Sequence, residues 1–113
     1  MPLINGEIAL VSSARGSGTY LSNPIALPTA TYCLVLVHVT AVSGAPILDI
    51  SAEQSAGGGT WTSSIGSGIS QLVGVGNSIG HALITSGYIR ITATVAGVTP
   101  NVTFGVVILY FGV

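Results

Sequence analysis

Thr31–Val42, which reads TYCLVLVHVTAV, is the stretch from which the fold follows. It is β-branched and apolar, with no helical spacing of its hydrophobic residues. As a strand it places Cys33, Val35, Val37 and Val39 on one side and Tyr32, Leu34, Leu36, His38 and Thr40 on the other. A strand that is apolar on both sides is either central in a sheet or covered by a partner. Ser43-Gly44-Ala45-Pro46 follows and reads as a turn. Ile47–Ser55 (ILDISAEQS) then alternates, with Leu48, Ile50 and Ala52 facing inward and Asp49, Ser51 and Glu53 outward.

The same grammar extends in both directions. Tyr88–Ala96 (YIRITATVA) predicts Ile89, Ile91, Ala93 and Val95 inward, and Tyr88, Arg90, Thr92 and Thr94 outward. Gly97–Asn101 reads as a turn, and Val102–Val113 as a returning apolar strand. Glu7–Ser13 is a first strand, and Pro24 and Pro28 punctuate the extended stretch after it. Ala56–Thr60 is a glycine-rich turn, and Trp61–Gly80 is a loop-rich connection carrying one or two short strands. Roughly six to eight short strands joined by Gly/Pro turns specify an all-β fold, an antiparallel β-sandwich of jelly-roll or immunoglobulin-like type. Its 113 residues make one domain. Tyr88, just after a turn, has the placement of a tyrosine corner.

Charge is the scarcest commodity. Charged residues are 4% of the chain and apolar residues 49%, against roughly 25% charged in an ordinary soluble domain. The ionic side chains are Glu7, Arg15, Asp49, Glu53 and Arg90, with no lysine. Two arginines cannot neutralise a phosphate backbone, which excludes nucleic acid as a partner, and no basic cluster exists for an anionic membrane surface. Mean hydropathy is +0.80, yet the apolar runs Cys33–Val42 and Val102–Val113 are shorter than a spanning helix requires. A transmembrane barrel would need aromatic girdles that this composition does not supply. Met1–Glu7 lacks the basic start and apolar run of a signal peptide, and the lone Cys33 cannot form an intrachain disulfide, so assembly in a reducing cytoplasm is expected.

Catalysis and cofactor binding need groups that converge, and few are available. Asp49 and Glu53 share a strand face but stand about 13 Å apart at ~3.3 Å per residue, too far for paired-carboxylate chemistry. His38 lies in an apolar run, His81 has no supporting acid nearby in sequence, and Cys33 and His38 fall on opposite sides of one strand. Gly74–Gly80 does not space its glycines as a dinucleotide fingerprint. No enzyme, metal or cofactor is expected. If the strands holding Asp49 and Arg90 are neighbours, those two charges could pair.

A free monomer keeps itself soluble with a surface roughly a quarter to a third charged. This surface, filled instead with Ser, Thr, Asn and Gln, is suited to being covered, so a homo-oligomer or other permanent assembly is expected. Trp61, Tyr88, Arg90, Tyr110, Phe111 and His38 are the candidate interface residues.

The run Asp49–Trp61 (DISAEQSAGGGTW) and the later run Ser86–Phe104 (SGYIRITATVAGVTPNVTF) resemble small β-sandwich structural proteins of tailed bacteriophages, over roughly residues 30–113. The resemblance implies a virion component, most naturally a capsid decoration (cement) protein on the capsid surface, assembled in the host cytoplasm and binding the major capsid protein. Such families have no catalytic residues to transfer. Residues 1–29 fall outside the resemblance and could form an extended N-terminal arm. Two other readings stay open. One is a carbohydrate- or receptor-binding module of a tail fibre, with Trp61, Tyr20 and Tyr88 as the stacking aromatics; the other is a head-tail or tail-tube component.

Overall fold

The computed structural model describes residues 3–26, 30–57, 59–63, 71–83 and 87–112. Pro28, part of the loop-rich segment expected between Trp61 and Gly80 (residues 64–70), and both chain ends lie outside them. The elements are β1 (Leu3–Arg15), β2 (Gly18–Leu21), β3 (Ile25–Ala26), β4 (Ala30–Ser55), β5 (Thr62–Ser63), β6 (Gly76–Leu83) and β7 (Tyr88–Gly112). All pairings are antiparallel.

Two of these strands are long, and they organise the rest. β4 and β7 run antiparallel from Ala30↔Gly112 to Ser55↔Tyr88. The first half of β4 and the second half of β7 form one four-stranded layer, with β1 on the outer edge of β7 and β6 on the outer edge of β4. Their other halves form a second layer, bordered by β2 and β3 beside β7 and by β5 beside β4. Ile89, Ile91 and Leu48 of one layer and Phe104, Ile108 and Cys33 of the other are all 0% exposed. No described helix covers them, so the two layers cover each other, and the fold is the expected antiparallel β-sandwich.

The two expected turns at Ser43–Pro46 and Gly97–Asn101 are not hairpins. Each is a bend within one continuous strand, and the bends face one another through Ser43↔Asn101, Ala45↔Val98 and Pro46↔Gly97. Tyr88–Ala96 therefore pairs with Ile47–Ser55 and not with Val102–Gly112. Register shifts at Val39/Ala41 and Ser43/Ala45 add residues that reverse the side-chain phase. Along β4 the buried set passes from Cys33, Val35, Val37 and Val39 to Leu48 and Ile50; along β7 it passes from Ile89–Val95 to Val102–Ile108. Each strand thus keeps its apolar side inward while moving from one layer to the other.

Glycine is required at both bends. Gly44 has φ +73° and Gly97 φ +123°. A Cβ at Gly44 would run into the Thr99 carbonyl, and one at Gly97 into the Ala45 carbonyl. Thr99, at the same bend as Gly97, holds φ 44° without glycine's freedom.

The N-terminal stretch is not a free arm in this chain. β1 is paired along β7 from Leu3↔Phe111 to Arg15↔Val102, and β2 and β3 continue along the other half of β7. Arg15 fastens the end of β1. It donates to the carbonyls of Phe104 (2.7 Å), Val11 (2.7 Å) and Ser13 (3.3 Å), and its guanidinium lies 4.6 Å from the Phe104 ring centre. The Tyr20 hydroxyl donates to the Gly16 carbonyl at 2.7 Å, so the corner-type bond expected at Tyr88 belongs to Tyr20.

Gly44→Ala and Gly97→Ala are each expected to cost roughly 1–3 kcal/mol of stability. Gly57→Ala, with open space around its Cβ, should stay within about 0.5 kcal/mol. Denaturant midpoints of the three variants check this.

Candidate functional site

Each layer has an outer face, and the two faces differ in chemistry. On the layer holding β1 and β6, cross-strand pairing lines up Ile8, Val107, Leu36 and Ile79 in one row. Beside it lie Leu109, Leu34 and His81, then Phe111 and Tyr32. On the other side His38 stands between Gly105 and Asn77. Most of these side chains are half-buried by their neighbours, but Ile8 and Ile79, at the two ends of their row, are each 66% exposed.

Two glycines flatten this face. A Cβ at Gly6 would meet Leu109 Cδ2 at 2.7 Å, and one at Gly105 would meet His38 Cε1 at 2.8 Å. Leu109 and His38 therefore lie across the neighbouring strand rather than projecting from it. Tyr32 stacks on His81 with ring centres 5.7 Å apart and meets Phe111 at 6.0 Å. A groove of about 350 Å3 runs between β4 and β6, lined by Leu36, His38, Asn77, Ile79 and Val107 with Val37 and Ser78. Together these residues make one contiguous, largely aliphatic and aromatic sheet face.

The opposite face is polar, and its charges are engaged. Arg90 Nε donates to Glu53 Oε1 at 2.9 Å, and its guanidinium lies 4.5 Å from the Trp61 ring centre. The Thr92 hydroxyl donates to the same carboxylate oxygen. That hydrogen bond is the chief reason the Glu53 pKa is lowered; partial burial opposes it, and Arg90 reinforces it by hydrogen bond and charge. Asp49 accepts from Gln71 Nε2 at 3.0 Å, and the Thr19 and Thr94 hydroxyls meet at 3.5 Å.

The expected Asp49–Arg90 pair is not formed. β4 and β7 are neighbours as supposed, but their register sets Arg90 opposite Glu53 and Asp49 opposite Thr94. The six candidate interface residues also divide. Phe111 and His38 lie on the apolar face, Trp61, Tyr88 and Arg90 belong to the other layer, and Tyr110 is a core residue at 7% exposure. Nor do the three aromatics considered for stacking form one platform, because Tyr20 packs against the core and Trp61 is stacked on Arg90. Cys33 is buried on the inner side while His38 lies on the outer one. Among the described residues no three His, Cys, Asp or Glu side chains gather as metal ligands would.

No protein-family model matches the sequence, and no curated protein does. Similarity appears among solved structures. A chain in the structure of infectious bursal disease virus, Gx strain, superposes with TM-score 0.55 at 9% identity, over 93% of this chain and 32% of that one. This chain thus spans about a third of that protein's length. The carbohydrate binding module of Cellvibrio mixtus lichenase 5A, in complex with cellotriose, gives TM-score 0.48 at 9% identity, over 99% of this chain and 100% of that one. A family 35 carbohydrate binding module from Clostridium thermocellum gives 0.46 at 14%, over 92% and 98%. At such identities the likeness is one of β-sandwich fold alone.

Ile8 and Ile79 are the site residues that sequence reasoning passed over. Ile8 sat unremarked in the first strand. Ile79 lies in the loop-rich segment expected to carry one or two short strands, where Val73, Val75 and Ile79 share a period of two across the glycines.

Since the Glu53 pKa is lowered in the folded state, its carboxylate adds stability above the ordinary glutamate range near ~4.3, and this is lost as pH falls through the lowered value. Glu53→Gln should flatten the acid limb of a plot of Tm against pH. Thr92→Val should flatten it in part.

Proposed function

We propose that this chain is a non-catalytic virion structural protein, most naturally a capsid decoration protein that binds the major capsid protein and stabilises the shell. The observation that carries this reading is the contrast between the two outer faces. One is apolar, flat and free of charged side chains; the other holds Asp49, Glu53 and Arg90 in hydrogen bonds and an ion pair. A sandwich with these two sides suits a shell component, with the apolar face covered in the assembly and the polar face turned to solvent. The textural resemblance to small phage structural proteins supports it, as does a β-sandwich likeness to a chain of a virus structure.

A second reading, a carbohydrate-binding module, draws on Trp61 beside the polar groups of the charged face. Arg90 already occupies one face of that ring, which leaves at most the other for a sugar to stack on.

Immunogold labelling of virus particles released from cells that make this chain tests the proposal. Label over the capsid shell is expected, with no retention on a glycan array. Label confined to tail fibres together with glycan binding would favour the second reading, and particles free of label would contradict both.

A further inference from the structure

The geometry points to a second copy of this chain as the occupant of the apolar face, in a two-fold dimer packed sheet on sheet through β1, β7, β4 and β6. The inference rests on the reading of that face as one covered in the assembly, and it names what covers it.

Charge is the first argument. In a two-fold pair a charged group on the axis meets its own like, and one off the axis needs an opposite charge at the position it meets, so a neutral face carries no such demand. Here none of the five ionic side chains lies on it. Asp49, Glu53 and Arg90 belong to the other layer's outer face. Arg15 is turned onto the carbonyls of Phe104, Val11 and Ser13. Glu7 pairs in register with Ile108, whose side chain points inward, so it sits out of phase with Ile8.

Shape and extent give the second argument. With Leu109 over Gly6 and His38 over Gly105, the face is flat enough for another sheet to pack at ordinary inter-sheet distance, about 10 Å. Four strands at ~4.8 Å spacing and roughly eight residues at ~3.3 Å each make a face of about 500 Å2. Two such faces remove about 1,000 Å2, where specific interfaces begin. Exposed Val73 and Val75, on the segment leading into β6, extend the apolar border beyond this.

Within that broadly flat face there is also local self-complementarity. The face carries both a projection and a recess: Ile79 stands out at 66% exposure, and the groove of about 350 Å3 lies beside it between β4 and β6. In a two-fold pair each copy's Ile79 can enter the other's groove, against Leu36 and Val107. Ile8 closes the far edge of the same row.

Sedimentation velocity of the full chain, with Ile79→Glu, Ile8→Glu and Val98→Glu variants, tests this. Val98 is exposed but lies at the bend, away from the face. A dimer is expected for the parent chain and for Val98→Glu. Ile79→Glu and Ile8→Glu should halve the mass to 11.3 kDa while keeping the parent's far-ultraviolet β spectrum, since both side chains are largely outside the fold's own packing. A parent chain that sediments as a monomer would overturn the inference, as would an oligomer indifferent to both glutamates. Particle labelling separates this from the functional reading. A monomer found on the shell leaves the function standing without the dimer, and a dimer absent from particles does the reverse.

Discussion

The pairing of β4 with β7 is the constraint on which the rest of the structure depends. Every other described strand is paired with one of these two, and neither layer exists without both. Because the same two strands supply the centre of each layer, the sandwich is closed by chain continuity as well as by burial. The crossing from layer to layer occurs where the bends meet, and there the backbones approach so closely that Gly44 and Gly97 have no room for a side chain. The proline at position 46 fits the same place, since a ladder donor is dispensable at a bulged bend.

From that pairing the two faces follow. Phase reversal at the bends keeps aliphatic side chains in the core of both layers, so the outward positions are set by whatever alternates with them. In one layer these are chiefly Ser, Thr, Asp, Glu and Arg; in the other they are chiefly Leu, Ile, Val and aromatic residues, with His38, His81 and Asn77 among them. With so few ionic groups in the chain, the apolar side is left without charge once Asp49, Glu53 and Arg90 sit on the other side, Arg15 folds onto carbonyls and Glu7 falls out of phase with Ile8. Arg15 and Arg90 spend their charge on carbonyls, a carboxylate and aromatic rings within the molecule.

Strand faces were legible in the sequence because period-two burial is local: Ile89, Ile91, Ala93 and Val95 are inward as read, and Asp49, Ser51 and Glu53 outward. Connectivity was not. A glycine-proline interruption with a change of phase looks the same whether the chain reverses or merely bends, and only the distant partner strand distinguishes them. The same ignorance of register exchanged Asp49 for Glu53 as the partner of Arg90. His38, Leu36 and Leu34 were assignable to one side of the strand, opposite Cys33, Val35 and Val37, from Thr31–Val42 alone, but with both sides apolar nothing there says which faces outward. The breadth of that side was hidden, because its outer rows come from β1 and from β6, whose glycines disguise a strand as a loop.

The central claim is that the Ile8–Val107–Leu36–Ile79 face is buried in the protein's working assembly while the Trp61 face is not. Carbene footprinting read residue by residue by mass spectrometry, on the assembled and the dissociated chain, measures this most directly. The account predicts that Ile8, Leu36 and Ile79 lose label on assembly while Trp61 and Asp49 keep theirs. Equal labelling of the apolar face in both states, or protection confined to the Trp61 side, would contradict it.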